Sequence, residues 1–167
     1  EVYEAFKYAD ENGVLLIHAA GNDAKDIDVE PNYPTSMYSF QKSPLDHFVT
    51  IGASTKNKGT DMVASFSNFG AKGVDVFAPG FEIYNTVPQS EYMNLQGTSM
   101  AAPMVAGAAA MLKSYYPALS MKEIKEVMYS TSTKYPKVEG FSDKSVTGGV
   151  VNLLKAAKAC KKLAKKK

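Results

Sequence analysis

From Gly97 to Ala110 the chain reads Gly-Thr-Ser-Met-Ala-Ala-Pro-Met-Val-Ala-Gly-Ala-Ala-Ala, a run so poor in bulk that neighbouring backbone can approach it closely. A helix is expected from here to about Tyr115, with Pro103 in its first turn, where the missing N–H of proline is tolerated. Ser99 then stands just inside the helix start. The unpaired N–H groups and the positive dipole end at such a start stabilise negative charge that develops beside the hydroxyl, so the position suits a nucleophile. The same letters also describe a small-residue helix packed in a core.

The elements around this helix follow from periodicity. Val2, Ala5, Phe6 and Ala9 recur at helical spacing and Asn12-Gly13 stops them. Val14-Leu15-Leu16-Ile17 is then a continuous apolar run, expected as a strand buried on both faces of a parallel sheet. It leads directly into His18-Ala19-Ala20-Gly21-Asn22-Asp23, a turn at the carboxyl end of that strand, where functional loops of α/β folds gather. Residues 24–47 are polar and aperiodic, a surface loop. Phe48–Ala53, Met62–Ser67 and Val74–Ala78 are read as strands. Ile83–Val87 and Tyr92–Leu95 pair as a hairpin that delivers the chain to Gly97. Ser120-Met121-Lys122-Glu123 is a capping box at the head of another helix, and Asn152 caps a last helix with Leu153, Ala157, Cys160 and Ala164 on one face. Strands alternating with helices predict an α/β layered domain with a mainly parallel sheet.

Charge narrows the partners. Of 19 lysines, seven lie after Leu154, and no acid accompanies them; the body keeps 12 lysines against 17 acids, a net −5. Residues 155–167 are expected as a basic, solvated helical tail. The chain has no arginine, the residue best suited to bidentate phosphate or base contacts, so a nucleic-acid partner is not expected. Cys160 stands alone, which excludes an internal disulfide and a cysteine metal cluster. Asp23, Asp26, Asp28 and Glu30 are spaced somewhat like a calcium loop but lack its glycine and distal glutamate, so a solvated acidic loop is expected, with no metal and no cofactor. His18 is read as a satisfied structural histidine and His47 as a surface one. No targeting signal opens the chain: Glu1-Val2-Tyr3-Glu4-Ala5-Phe6 reads as mid-helix.

Gly97-Thr98-Ser99-Met100-Ala101-Ala102-Pro103 resembles the nucleophile motif of the subtilisin-like serine proteases. Ala19-Ala20-Gly21-Asn22, Tyr33-Pro34, Val49–Ala53, Ala64–Gly70, Asp75–Gly80 and Gly149–Asn152 resemble further segments of that family, in the family's order. The resemblance implies the three-layer subtilisin-like α/β fold, of which residues 1–167 are the carboxyl-terminal part of one peptidase domain. It implies Ser99 as nucleophile and Asn22 as side-chain donor to the oxyanion, with Ala19, Ala20 and Gly21 walling and Asn32 flooring the primary substrate pocket. A protein or peptide substrate follows, as does a secreted or cell-envelope location. Met104 stands where the motif commonly has histidine, which is expected to change packing without loss of chemistry. The Asp-Thr-Gly-like and His-Gly-Thr-like strings that precede the serine in this family are absent. The orienting Asp and base His are therefore expected upstream, the chain alone is expected to be inactive, and its uncovered surfaces are expected to drive self-association. A catalytically inactive module of the same fold, serving as binding partner or scaffold, is the alternative.

Overall fold

A computed structural model describes all 167 residues. Helix α1 (Val2–Glu11) leads to strand β1 (Leu16–Ala19), and the long loop after it to β2 (Phe48–Ser54) and β3 (Val76–Pro79). A hairpin of β4 (Ile83–Val87) and β5 (Glu91–Leu95) precedes α2 (Thr98–Tyr115) and α3 (Met121–Ser130). Strands β6 (Thr133–Lys134) and β7 (Gly149–Val150) and helix α4 (Leu153–Ala164) complete the chain. The main sheet has the order β1-β2-β3-β7-β6. Its first four strands are parallel, and only β6 runs against β7.

Strand β2 is buried along its whole length. Its Val49, Ile51 and Ala53, with Val76 and Ala78 of β3, face α2, behind which α3 and α4 pack. The small residues of α2 do what their size allows: Ala101, Val105, Ala108 and Ala109 lie flat on the sheet, and Leu112 closes the layer. On the opposite face Phe77 lies over Gly52, where an added Cβ would sit 2.4 Å from the ring, and it joins Ala20, Met62, Val74 and Phe141 in a second cluster. The sheet is therefore covered on both faces, as a parallel sheet must be.

Several elements differ from expectation, each for a local reason. Strand β1 begins two residues late, because Val14 N–H still donates to Ala9 O and the chain turns through Gly13 before pairing starts. It is also half-buried throughout, since it pairs only with β2 and forms the sheet's edge. Residues 62–67 form no strand: Ser67 N–H closes a turn onto Ala64 O at 2.8 Å, and a single bridge joins Ser54 to Val63. Pro103 lies in the second turn of α2. It deprives the Ser99 carbonyl of its helical donor, a loss borne at an exposed surface. Leu153 is 36% exposed, and α4 instead buries Ala156 and Cys160. The apolar stripe of α1 buries none of its residues; Phe6 meets Phe48 edge-on at 5.8 Å. Asp28 is structural as well as solvated, taking the N–H groups of Lys72 and Gly73 at 3.0 and 2.6 Å.

Gly80 sets how closely α2 meets the sheet. Its carbonyl accepts from Gly97 N–H at 2.8 Å, and an added Cβ would fall 2.6 Å from Ala53 Cβ and 2.8 Å from Gly97 O. Gly80→Ala is expected to lower unfolding free energy by about 1–3 kcal/mol in urea denaturation, since backbone on one side cannot yield; an unchanged midpoint would mean that the contact is loose.

The capping box of α3 is formed in full, with Ser120 Oγ accepting from Glu123 N–H and Glu123 from Ser120 N–H. The tail is not wholly solvated, because Lys167 Nζ reaches Glu123 at 2.7 Å. That ammonium, with the Ser120 N–H, holds the Glu123 carboxyl down to about 2. A carboxyl depressed on folding stabilises the fold above its unfolded pKa and loses that contribution as pH falls through its folded value. Part of the acid destabilisation between pH 4.5 and about 2 therefore belongs to Glu123. Glu123→Gln should flatten urea midpoints across that window, and an unaltered slope would remove the assignment.

Candidate active site

The carboxyl ends of β1, β2 and β3 and the amino end of α2 meet at one place. Asn22 lies three residues beyond the end of β1, and Ser99 is the second residue of α2. Both are exposed, whereas Gly97 and Thr98 between them are buried. Thr98 joins the two segments. Its N–H donates to Asn22 Oδ1 at 2.9 Å and its hydroxyl donates to the same oxygen at 3.0 Å, while the hydroxyl oxygen accepts from Gly21 N–H at 3.1 Å. A backbone N–H can only donate, so the atom of Asn22 that faces it is the oxygen, and the NH₂ group is turned outward.

Gly97 keeps the space beside that NH₂ open. Its φ of +146° is a conformation that side chains rarely adopt. A Cβ placed there would lie 3.3 Å from Asn22 Nδ2 and 3.7 Å from Ser99 N. Two donors thus flank one small position at a helix start, where the dipole of an 18-residue helix adds to their field. Donors at a helix start are chemically suited to an oxygen atom that carries or acquires negative charge.

A second tier holds the loop. Asn68, fully buried, has every polar atom used: Oδ1 accepts from the N–H groups of Asp23 and Lys25, each at 3.0 Å, and Nδ2 donates to Ala20 O at 2.8 Å. Its own N–H donates to Gly21 O at 2.9 Å. Asn32 Nδ2 reaches the same Ala20 carbonyl at 2.7 Å. Of the residues expected to shape the substrate pocket, Ala20 has its side chain in the core and its carbonyl doubly occupied, so it acts through backbone alone. Asn32 stands against the 20–21 backbone; its Nδ2 would lie 3.2 Å from a Cβ on Gly21. Ala19 ends β1 half-buried beside them.

Neither histidine makes a hydrogen bond to Ser99. His47 is at the amino ends of the strands, most of its side chain covered, with Nδ1 3.0 Å from Asp10 Oδ1 and its N–H donating to the same carboxylate at 2.5 Å. It is a tether for α1 and not a free surface residue; its acid partner lies 37 positions away, outside the reach of local spacing. His18 faces a cavity of about 50 Å³ under the 31–35 loop, with Asn32 and Thr50 in its walls. Its Nδ1 is buried without a hydrogen-bond partner, so it is not a satisfied histidine, and burial lowers its pKa. Met104 is 43% exposed on α2 and outside the core. Thr98 and Asn68, the two residues that orient Asn22 and its loop, carry no signal of role in spacing, because each acts through partners at least 43 positions away.

Residues 1–149 match the model of the subtilase family. The chain is 38% identical over 123 residues to subtilisin DY of Bacillus licheniformis, which covers 73% of this chain and 40% of that protein. It is 33% identical over 138 residues to subtilisin-like protease 2 of Plasmodium falciparum, covering 78% of the chain and 10% of the relative. Among solved structures, the subtilase cytotoxin SubAB superposes with a TM-score of 0.78 at 26% identity, over 96% of this chain and 53% of that one. The chain belongs to the subtilase family of serine proteases, as a partial domain with the family's α/β architecture. It spans about two-fifths of the length of the bacterial subtilisins it matches.

Thr98→Val is the direct test of the joint. It removes the hydroxyl bonds to Asn22 and Gly21 and leaves the Gly21 N–H without its partner, at an expected cost of about 1–3 kcal/mol in urea denaturation. Thr98→Ser should retain most of the stability. A larger loss in Thr98→Ser than in Thr98→Val would show that the methyl group, and not the hydroxyl, holds the site.

Proposed function

We propose that this chain is the nucleophile-bearing part of a serine endopeptidase that cleaves peptide bonds through an acyl-enzyme on Ser99. The observation that supports the reading is that Asn22 Nδ2 and Ser99 N lie 3.3 and 3.7 Å from one point beside Gly97. In the reaction the Ser99 hydroxyl attacks the scissile carbonyl and its oxygen moves into that position as an anion, stabilised by the two donors and the helix start. Collapse expels the amine and leaves the acyl group on Ser99 Oγ, and water then repeats the attack. The proton of Ser99 needs a base. His47 is paired with Asp10 and His18 faces a separate small cavity under the 31–35 loop, so on this reading a histidine and the carboxylate that orients it come from a segment upstream of Glu1.

Ala19, the 20–21 backbone and Asn32 form the primary substrate pocket. The half-buried edge of β1 and the uncovered stripe of α1 receive the upstream segment, and in its absence they favour self-association. Relatives that are subtilisins support a secreted location, and no helix is long and apolar enough to cross a membrane. An inactive scaffold of the same fold remains the second reading, favoured by the absence of a base from this chain.

In the protein with its upstream segment, Ser99→Ala should abolish peptide hydrolysis. Asn22→Leu should lower kcat by about 10²–10³, the size that subtilisin itself, a member of this family, sets for a side-chain oxyanion donor. KM should change little, because the donor meets an anion only in the transition state. An Asn22→Leu enzyme with unchanged kcat and a raised KM would make Asn22 a substrate-binding residue only.

A further inference from the structure

Away from Ser99, β6 and the loop that follows it carry a basic groove that the peptidase reading leaves unused. Lys58, Lys134 and Lys137 line a cavity of about 340 Å³ with Tyr135 and Val138, and no carboxylate is in its walls. Val138 also walls a neighbouring cavity of about 270 Å³, which adds Lys144 and Phe69 and contains one acid, Glu139. Four lysines of the body pair with carboxylates: Lys7 with Glu11 at 3.8 Å, Lys25 with Glu30 at 2.7 Å, Lys56 with Glu82 at 2.9 Å and Lys122 with Asp46 at 2.8 Å. The four groove lysines form no such pair. Lys134 Nζ donates to Ser132 Oγ at 2.9 Å and to Thr147 O, and Lys144 Nζ sits 3.3 Å above the Phe69 ring. Neutral partners fix these two ammoniums in place and leave their charge uncompensated. In a body of net −5 outside the tail, four unpaired cations in one groove are a concentrated attraction for anions.

We propose that this groove binds an acidic peptide segment. A compact inorganic anion would want the ammoniums gathered around one point, yet here they are distributed over two adjoining cavities. The shared wall of Val138, with Tyr135 on one side and Phe69 on the other, offers apolar contact between the charges. A nucleic acid is disfavoured by the lack of arginine and by the acidic body around the groove. The occupant would also touch Ala24 and Ser67. Ala24 lies between the two residues whose N–H groups Asn68 holds, so the groove abuts the loop that carries Asn22.

The test is calorimetric titration of the protein in a Ser99→Ala background, which reads binding whether or not Ser99 is the nucleophile. The probes are the acetylated, amidated pentapeptide Glu-Leu-Glu-Glu-Leu, its Gln-Leu-Gln-Gln-Leu counterpart, and inorganic phosphate at matched ionic strength. The acidic peptide should bind and weaken with added salt, and the glutamine peptide should not bind. Lys58 and Lys137 make no hydrogen bond or ion pair in the fold, so the double variant Lys58→Gln/Lys137→Gln keeps its structure. It should weaken binding about threefold to tenfold, whereas Lys155→Gln/Lys158→Gln in the basic tail should change it less than twofold. Equal binding of both peptides, a larger loss from the tail variant, displacement by phosphate as effective as by peptide, or no binding at millimolar concentration would each overturn the proposal.

Discussion

The geometry at Ser99 depends on two hydrogen bonds to a single oxygen. Thr98 gives both its N–H and its hydroxyl to Asn22 Oδ1, and that alone decides which end of the amide faces the solvent. A free asparagine side chain on an exposed loop would sample several rotamers, at a cost of order 1 kcal/mol to immobilise. Two donors at 2.9 and 3.0 Å, next to a buried threonine, offset that cost before any substrate arrives. The outward NH₂ group is thus preorganised, which is the condition under which a donor lowers a barrier instead of merely tightening binding.

The fold supplies the rest by placement. A parallel sheet brings the ends of β1, β2 and β3 to one side, and α2 returns over it so that its amino end arrives at the same side. Gly80 sets the separation: its carbonyl holds Gly97 N–H while Ala53 and Ala101 press from either side. Asn68 then ties the 20–25 loop to the 64–70 turn through four hydrogen bonds, so the loop that carries Asn22 is braced from beneath although it has no regular structure.

What the sequence made legible was local in character. The small-residue helix, the capping box at Ser120, the Asn152 cap and the β4–β5 hairpin all announce themselves within a few residues, and the structure has each of them. Contacts between distant segments were not legible. The half-burial of β1 follows from its place at the sheet edge, which no stretch of Val14–Ile17 encodes. Residues 62–67 have a strand-like composition but are captured by a turn onto Ala64 O. Strand β6 is two residues long and exists only because β7 lies beside it. Asp10 and His47, and Thr98 and Asn22, are pairs that the fold makes. Ser99 and Asn22 were nominated by motif resemblance, whereas Thr98 and Asn68, which orient one of them, came only from the coordinates.

On the proposed function, the chain holds a preformed oxyanion position and a nucleophile, and its base comes from another segment. Helix-end N–H groups stabilise an anion and cannot take a proton, so on that proposal the hydroxyl of Ser99 is expected to be weakly nucleophilic in residues 1–167. Labelling with a fluorophosphonate probe, followed by intact-mass analysis and peptide mapping, separates the two conditions. No stoichiometric adduct is expected on the 167-residue chain, and a single adduct on Ser99 is expected once the upstream segment is present. Rapid labelling of Ser99 in the chain alone, lost on His18→Ala, would contradict that proposal by showing that the chain carries its own base.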